Sequence, residues 1–393
     1  MRATKLFTEF FNSEKSGGLV LISCTLLSLI LANSSIGAAY LDFWQMQFFG
    51  HSAVHWINDG LMTIFFLLIG LELEREIYLG ELSKIKDAVL PIVGALGGMF
   101  VPAGIFLLLN FGTTTQAGAG IPMATDIAFA LGILSLLGKK VPTSLKVFLT
   151  ALAVIDDLGA ILVIAIFYTK NLFWSHLLIA LLIFALLLIL NRMKVHNLIP
   201  YIFGGMMMWY FMLQSGVHAT LTGVLLAFAI PFGNGDQKST SYTLQHFLHK
   251  PVAFVILPLF AMANTVIIFA GDISELVSGN NTIGIALGLL IGKPLGIFLA
   301  TFFVVTAGYA TLPKDINWKS IIGVGVLGGI GFTMSIFVTL LAYSDDTIVN
   351  SSKIVILISS LIAGFLGFVM LKYSLKEKAL VPNEHDDEIQ ENV

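Results

Sequence analysis

Residues 151–161 read ALAVIDDLGAI. Two adjacent acids, Asp156 and Asp157, stand here with apolar residues for several turns on either side. No loop or helix-cap reading fits them. An ionised side chain in the middle of a bilayer costs roughly 2.5–3.5 kcal/mol on insertion scales and more in simulations. The acids must therefore face each other, water or a substrate. Neighbouring helix positions point about 100° apart, so the two serve different partners or flank one small cavity. Two carboxylates crowded together in apolar surroundings cannot both stay ionised at low cost, which suits the pair to exchanging a proton near neutral pH.

The rest of the chain supports a membrane setting. Of its 393 residues, 57% are hydrophobic and only 11% charged, and the mean hydropathy is +0.91. These values exclude an ordinary soluble globular protein. A net charge of −3 gives no reason to expect nucleic-acid binding. Cys24 is the only cysteine, so no intrachain disulfide can form; it reads as a small packing residue.

Twelve spans are expected, at roughly 16–33, 59–80, 88–110, 121–138, 144–169, 173–191, 198–214, 216–232, 249–270, 282–308, 320–343 and 353–375. Lys and Arg test the count, because they collect in cytoplasmic loops. The N-terminal segment, the loops after every even-numbered span and the C-terminal end hold eighteen of the 21. Lys170 and Lys353 fall on the opposite side, and Lys293 is left inside a span. Twelve spans with both termini cytoplasmic follow. Segment 1–15 mixes Arg2, Lys5, Glu9, Glu14 and Lys15 and has no cleavage site for a signal peptide. Its Leu6, Phe7, Phe10 and Phe11 share one helical face, so it reads as an interfacial helix or a frayed end. Residues 16–376 form a single transport domain, and 377–393 are an acidic tail expected to be disordered. The longest outer loop, 34–58, carries no Lys or Arg and reads as a hairpin or interfacial segment.

Three further stretches carry chemistry. ATDIAFALG, residues 124–132, follows Pro122, which removes a backbone donor. Thr125 and Asp126 can satisfy free groups at a helix start. Asp126 is a cap at a loop edge or a buried functional acid; the apolar run from 117 to 137 is long enough to cross with the break inside it, which favours the second. LLIGKPLGI, residues 289–297, places Lys293 before Pro294 in a stripe of Gly284, Gly288, Gly292 and Gly296. The stripe invites close approach of another helix, and the lysine needs one of the three deep aspartates. GIGFTMSIF, residues 329–337, follows Gly323, Gly325 and Gly328 and invites a second break. Spans 4 and 11 are then interrupted at matching places in two three-span units, 3–5 and 10–12, the pattern of inverted repeats with a midplane site. Asp126 would offset the positive half-helix ends and Lys293 the negative ones.

Two weaker signals remain. His218, in SGVHATLTG, reads as a structural hydrogen-bonding residue ahead of a titrating one. Glu72, Glu74, Arg75 and Glu76 close span 2 as a solvated helix end or as an acidic funnel for cations.

The strings WINDGLMTIFFLLIGLE, PMATDIAFALG, LAVIDDLGAI, SGVHATLTG, VILPLFAMAN, LLIGKPLGI and GGIGFTMSIF occur in this order. Over about 15–375 the chain resembles the NhaA family of sodium/proton antiporters, in which inverted repeats are known. The resemblance implies an all-α polytopic membrane protein of the bacterial inner membrane. It implies electrogenic export of sodium or lithium for protons, for sodium and pH homeostasis. It implies no enzymatic activity and no cofactor. Asp157 would be the main sodium ligand and proton carrier, with Asp156 beside it pairing alternately with Lys293. Asp126 and Thr125 would tune or join the site. Glu72, Arg75, Glu76, His246 and His249 would form the cytoplasmic pH-sensing entrance, and a homodimer is implied.

Two positions depart from the family pattern. Glu74 stands where the family has a basic residue and Gln245 where it has an acid, so the family's pH profile does not carry over. The outer loop is also shorter than the family's dimer hairpin, so dimer strength does not carry over either. Among rivals, an intramembrane aspartyl protease would need a GxGD string inside a span; the one here, Gly233–Asp236, lies in a polar loop beyond the expected span 216–232. A channel would show a repeated filter or charged ring. A sodium-coupled symporter of an organic anion would need an anion-binding group, for which Lys293 alone is available.

Overall fold

The computed structural model describes residues 14–169, 172–268 and 279–378. The chain is almost wholly helical. In order the helices are α1 (Glu14–Ala32), α2 (Gly37–Gln45), α3 (Ala53–Tyr78), α4 (Ile85–Asn110), α5 (Ile127–Leu136), α6 (Thr143–Phe167), α7 (Trp174–Arg192) and α8 (Leu198–Ser215). They continue as α9 (Leu221–Ala229), α10 (Thr240–Asn264), α11 (Asn280–Thr306), α12 (Trp318–Gly328), α13 (Phe332–Ala342) and α14 (Asp346–Lys378). The expected interfacial segment over 1–15 and the acidic tail from 377 lie outside the described residues, except for the first residues of α1 and the last of α14.

Among the described residues, eight helices are long and apolar enough to cross a membrane, or ten if each sharply bent pair counts as one span. The helices at two of the twelve expected spans, α8 and α9, fall short of that measure. α8 is broken in its apolar character by Pro200, Gly204, Gly205 and Gln214. The eighth expected span, 216–232, holds only the nine residues of α9. Nine residues rise about 14 Å, half of a hydrocarbon core. Gly216, at φ +83°, ends α8 in the left-handed region, and the turn that follows uses up the start of the expected span.

The expected outer loop, 34–58, contains both a helix and a hairpin. After α2, which bends 115° from α1, strands β1 (Gln47–Phe48) and β2 (His51–Ser52) pair antiparallel. Phe49 and Gly50 turn the chain with φ of +50° and +84°. α3 then begins at Ala53, earlier than expected, with a π-helical turn over Trp56–Leu61.

Spans 4 and 11 are both broken. The first descends as a 3-10 helix over Gln116–Met123, runs extended at Ala124, and resumes as α5 with Asp126 as its N-cap. The second is α12, a short break at 329–331, and α13, with a 45° bend. Pro122 and the Gly328–Gly331 cluster supply the missing donor and the small volume that such breaks need. The two breaks cross. The Asp126 N–H donates to Ile330 O at 2.6 Å, and Ser335 Oγ donates to Ile121 O at 2.7 Å.

The glycine stripe lets α11 pack along α4. Gly97 and Gly296 meet back to back, and a Cβ on either would collide with the other's carbonyl oxygen. Gly288 and Gly292 lie against Pro122 and Pro102. α11 also carries a π-helical turn, Gly288–Gly292, immediately before Lys293 and Pro294. Such turns re-aim the following side chains.

Candidate functional site

α6 is buried on every side at the level of its acids: residues 151–157 are all inaccessible. Asp156 is 1% exposed, while Asp157 and Lys293 are fully buried. Lys293 reaches across from α11 and forms an ion pair with Asp156 Oδ2. The same ammonium donates to Met123 O. That carbonyl ends the 3-10 helix, where the chain turns extended and no following N–H takes it. The lysine thus sits at the negative end of a half-helix.

Thr125 Oγ lies 2.6 Å from Asp156 Oδ2 and 2.9 Å from Gly328 O, the last carbonyl of α12. A hydroxyl has one proton, so it serves one of these two acceptors at a time. Asp126, 2% exposed, is both a cap and a buried acid. Its Oδ1 accepts from Phe129 N at 2.9 Å. Its Oδ2 accepts from Thr333 N at 3.1 Å and Thr333 Oγ at 2.5 Å. One carboxylate therefore caps the first turns of α5 and α13 together, at the positive ends of both half-helices.

Three oxygens in this centre have no hydrogen-bond partner among the described residues: Asp156 Oδ1 and both carboxylate oxygens of Asp157. Asp157 interacts electrostatically with Asp156, Asp126 and Glu72, against one nearby cation, Lys293. A buried carboxylate with unsatisfied lone pairs and an excess of acid around it is built to take up a positive species. Hard cations prefer such oxygen donors.

The residues expected at the entrance are spread more loosely. Glu72 and His249 line a cavity of about 140 Å³ between α1, α3, α5 and α10. The Arg75 guanidinium stands 4.9 Å over the Tyr242 ring, and Tyr242 stacks on His246 with centroids 5.9 Å apart. Glu76 Oε2 accepts from Glu81 N at 3.2 Å. Glu74 is buried and accepts from Ser241 Oγ at 3.3 Å, a neutral partner. Gln245 is half-buried on the same face of α10 as Tyr242.

His218 Nε2 lies 3.1 Å from Tyr168 O. Both residues line a cavity of about 500 Å³ with Asp59 and His55, and His55 Nδ1 pairs with Asp59 Oδ2 at 3.1 Å.

Sequence reasoning missed Thr333, Ser335 and Tyr242, and the carbonyls of Met123 and Gly328. Thr333 and Ser335 lie in the quoted GIGFTMSIF stretch, and hydroxyls just after a glycine cluster were the available signal. A backbone carbonyl leaves no signal in a sequence.

The pattern of the family described as Na+/H+ antiporter 1 matches residues 8–371. A Flavobacterium psychrophilum protein named Na(+)/H(+) antiporter NhaA is 72% identical over 376 residues, covering 96% of this chain and 98% of that protein. A Cytophaga hutchinsonii protein of the same name is 59% identical over 389 residues, covering 99% of this chain and all of that protein. Na(+)/H(+) antiporter NhaA 1 of Flavobacterium johnsoniae is 65% identical over 375 residues, covering 95% and 98%.

Proposed function

The chain belongs to the Na+/H+ antiporter 1 family and exchanges sodium for protons across a membrane; from that premise we propose that Asp157 and Asp156 are the shared carrier of both ions. The observation that carries this reading is the set of three unpartnered carboxylate oxygens at the helix crossing. Sodium and a proton cannot occupy one carboxylate together. Competition at Asp157 therefore couples the two fluxes without a separate device. Sodium bound from one face displaces protons; the site turns to the other face, releases sodium and is reprotonated.

Asp156 holds the Lys293 ammonium when sodium is absent. A cation arriving between the aspartates competes with that ammonium, and either Asp156 or Lys293 releases a further proton. More than one proton per sodium makes the exchange electrogenic, so the membrane potential and proton gradient expel sodium or lithium. Thr125 and Asp126 hold the crossing in register and tune the site. Glu72, Arg75, Glu76, His246 and His249 form a pH-sensing cytoplasmic entrance, with a profile altered by Glu74 and Gln245. Residues 16–376 act as one transport domain in the bacterial inner membrane, with both termini cytoplasmic. A homodimer would meet at the outer hairpin, where Phe49 is 95% exposed. The organic-anion symporter reading has no support: the relatives are named antiporters, and Lys293 is engaged by Asp156 and Met123 O.

Everted vesicles from cells lacking their own antiporters test the assignment. A respiratory proton gradient is set up, sodium is added, and an interior pH dye is followed across a pH series. Sodium should collapse the gradient with the native chain and leave it intact with Asp157→Asn. An Asp157→Asn protein that exchanges at the native rate removes Asp157 from the carrier role.

A further inference from the structure

A groove of about 400 Å³ opens between α1 and α14, and none of the site's acids lines it. Its rim is formed by Leu26, Ile358 and Leu361, which are 55%, 45% and 70% exposed. Its floor is the buried pair Phe129 and Phe332, in edge-to-face contact at 5.7 Å. No charged residue lines it. The residues contributed by α14 lie in the middle of the most apolar span, Asp346–Leu375. Those contributed by α1 lie in the middle of Ser16–Ala32. The groove is therefore at the depth of the hydrocarbon core, where neither water nor a lipid headgroup is available to fill it.

An apolar space of this size does not hold water, and its walls lose dispersion contacts if nothing fills it. We propose that it is an acyl-chain binding site, occupied by one hydrocarbon tail of a bilayer phospholipid. The tail would lie against Phe129 and Phe332. The N–H of Phe129 is capped by Asp126, and the N–H of Phe332 donates to Ser360 Oγ at 3.0 Å; Ser360 is itself part of the wall. The occupant thus packs directly behind the first turns of both half-helices and keeps water from the hydrogen bonds that hold them.

The test uses the full chain in proteoliposomes with phosphatidylcholine carrying a photoactivatable group mid-chain, and maps adducts by mass spectrometry. Labelling of segments 22–29 and 354–361 should exceed, several-fold, that of the equally exposed lipid face of α7 at Leu182 and Ile189. Leu26→Trp and Leu361→Trp, which roof the groove from exposed positions, should bring it down to that level. Uniform labelling of all three surfaces in the native chain means ordinary lipid contact and overturns the site. So does efficient disulfide cross-linking between copies that carry Leu26→Cys and Leu361→Cys, which would put a second copy in the groove.

Discussion

Thr333 is bound twice to one oxygen of Asp126, through its backbone N–H and its hydroxyl. The other oxygen holds Phe129 N. Both half-helices thus begin on one carboxylate. Asparagine can supply one acceptor and must present an amide donor to the other side; alanine supplies none. Asp126→Ala should lower stability by about 2–4 kcal/mol, from two lost caps and buried donors left bare. Asp126→Asn should fall between it and the native chain. Thermal melting in detergent checks the order; an Asn variant no more stable than the Ala variant contradicts the double cap.

Lys293 and Asp156 form a fully buried pair, and such pairs punish half-removal more than full removal. Lys293→Met alone leaves a buried carboxylate uncompensated and should cost about 3–5 kcal/mol. Adding Asp156→Asn to that variant should restore part of the loss. The double variant should melt above the Lys293→Met variant. Additive losses would mean the two groups do not depend on each other.

Much of this was legible in the sequence because charges in an apolar span are expensive and therefore conspicuous. Asp156, Asp157 and Lys293 stood out on that ground, and the two breaks were marked by Pro122 and by the glycines at 323–331. The partners that complete the centre did not. Thr333 and Ser335 are small hydroxyls that a membrane helix tolerates anywhere by bonding its own backbone. The π-helical turn before Lys293 lies where α11 packs against Pro102 of α4, a contact that a one-dimensional pattern does not report. At 216–232 the helix is shorter than the apolar run, because hydropathy counts apolar residues and does not register that Gly216 to Thr220 are spent on a turn.

The Thr125 hydroxyl has two acceptors and one proton. Thr125→Val removes the donor from both and leaves Gly328 O bare, a cost of about 1–3 kcal/mol. Thr125→Ser keeps the hydroxyl. Serine should therefore retain most of the native exchange rate in vesicles, and valine should lose most of it. Equal rates for the two would assign Thr125 to packing alone.

Gly97 meets Gly296 one turn from Lys293, whereas Gly104 on the same helix has open space around it. Gly97→Ala must push α4 from α11, at about 1–3 kcal/mol for an overpacked contact, and it should draw Lys293 away from Asp156. Both melting temperature and exchange rate should fall. Gly104→Ala should leave both near native. Parallel behaviour of the two variants would show that the close approach does not position the lysine.

Direct competition at Asp157 fixes how sodium affinity must follow pH. Wherever one carboxyl proton has to leave before sodium binds, half-saturating sodium should rise about tenfold for each unit that the pH falls. The maximal rate at saturating sodium should change much less over the same range. A sensor at the entrance predicts the opposite division, because it changes the fraction of active carriers and hence the maximal rate. Glu72 and His249 line the same 140 Å³ cavity, so Glu72→Gln should move the pH at which the maximal rate sets in and leave the competition slope intact. Sodium titrations of the native chain and Glu72→Gln in proteoliposomes, from pH 6 to 9, separate the two effects. A half-saturation constant that is flat with pH in the native chain would rule out one carboxylate serving both ions.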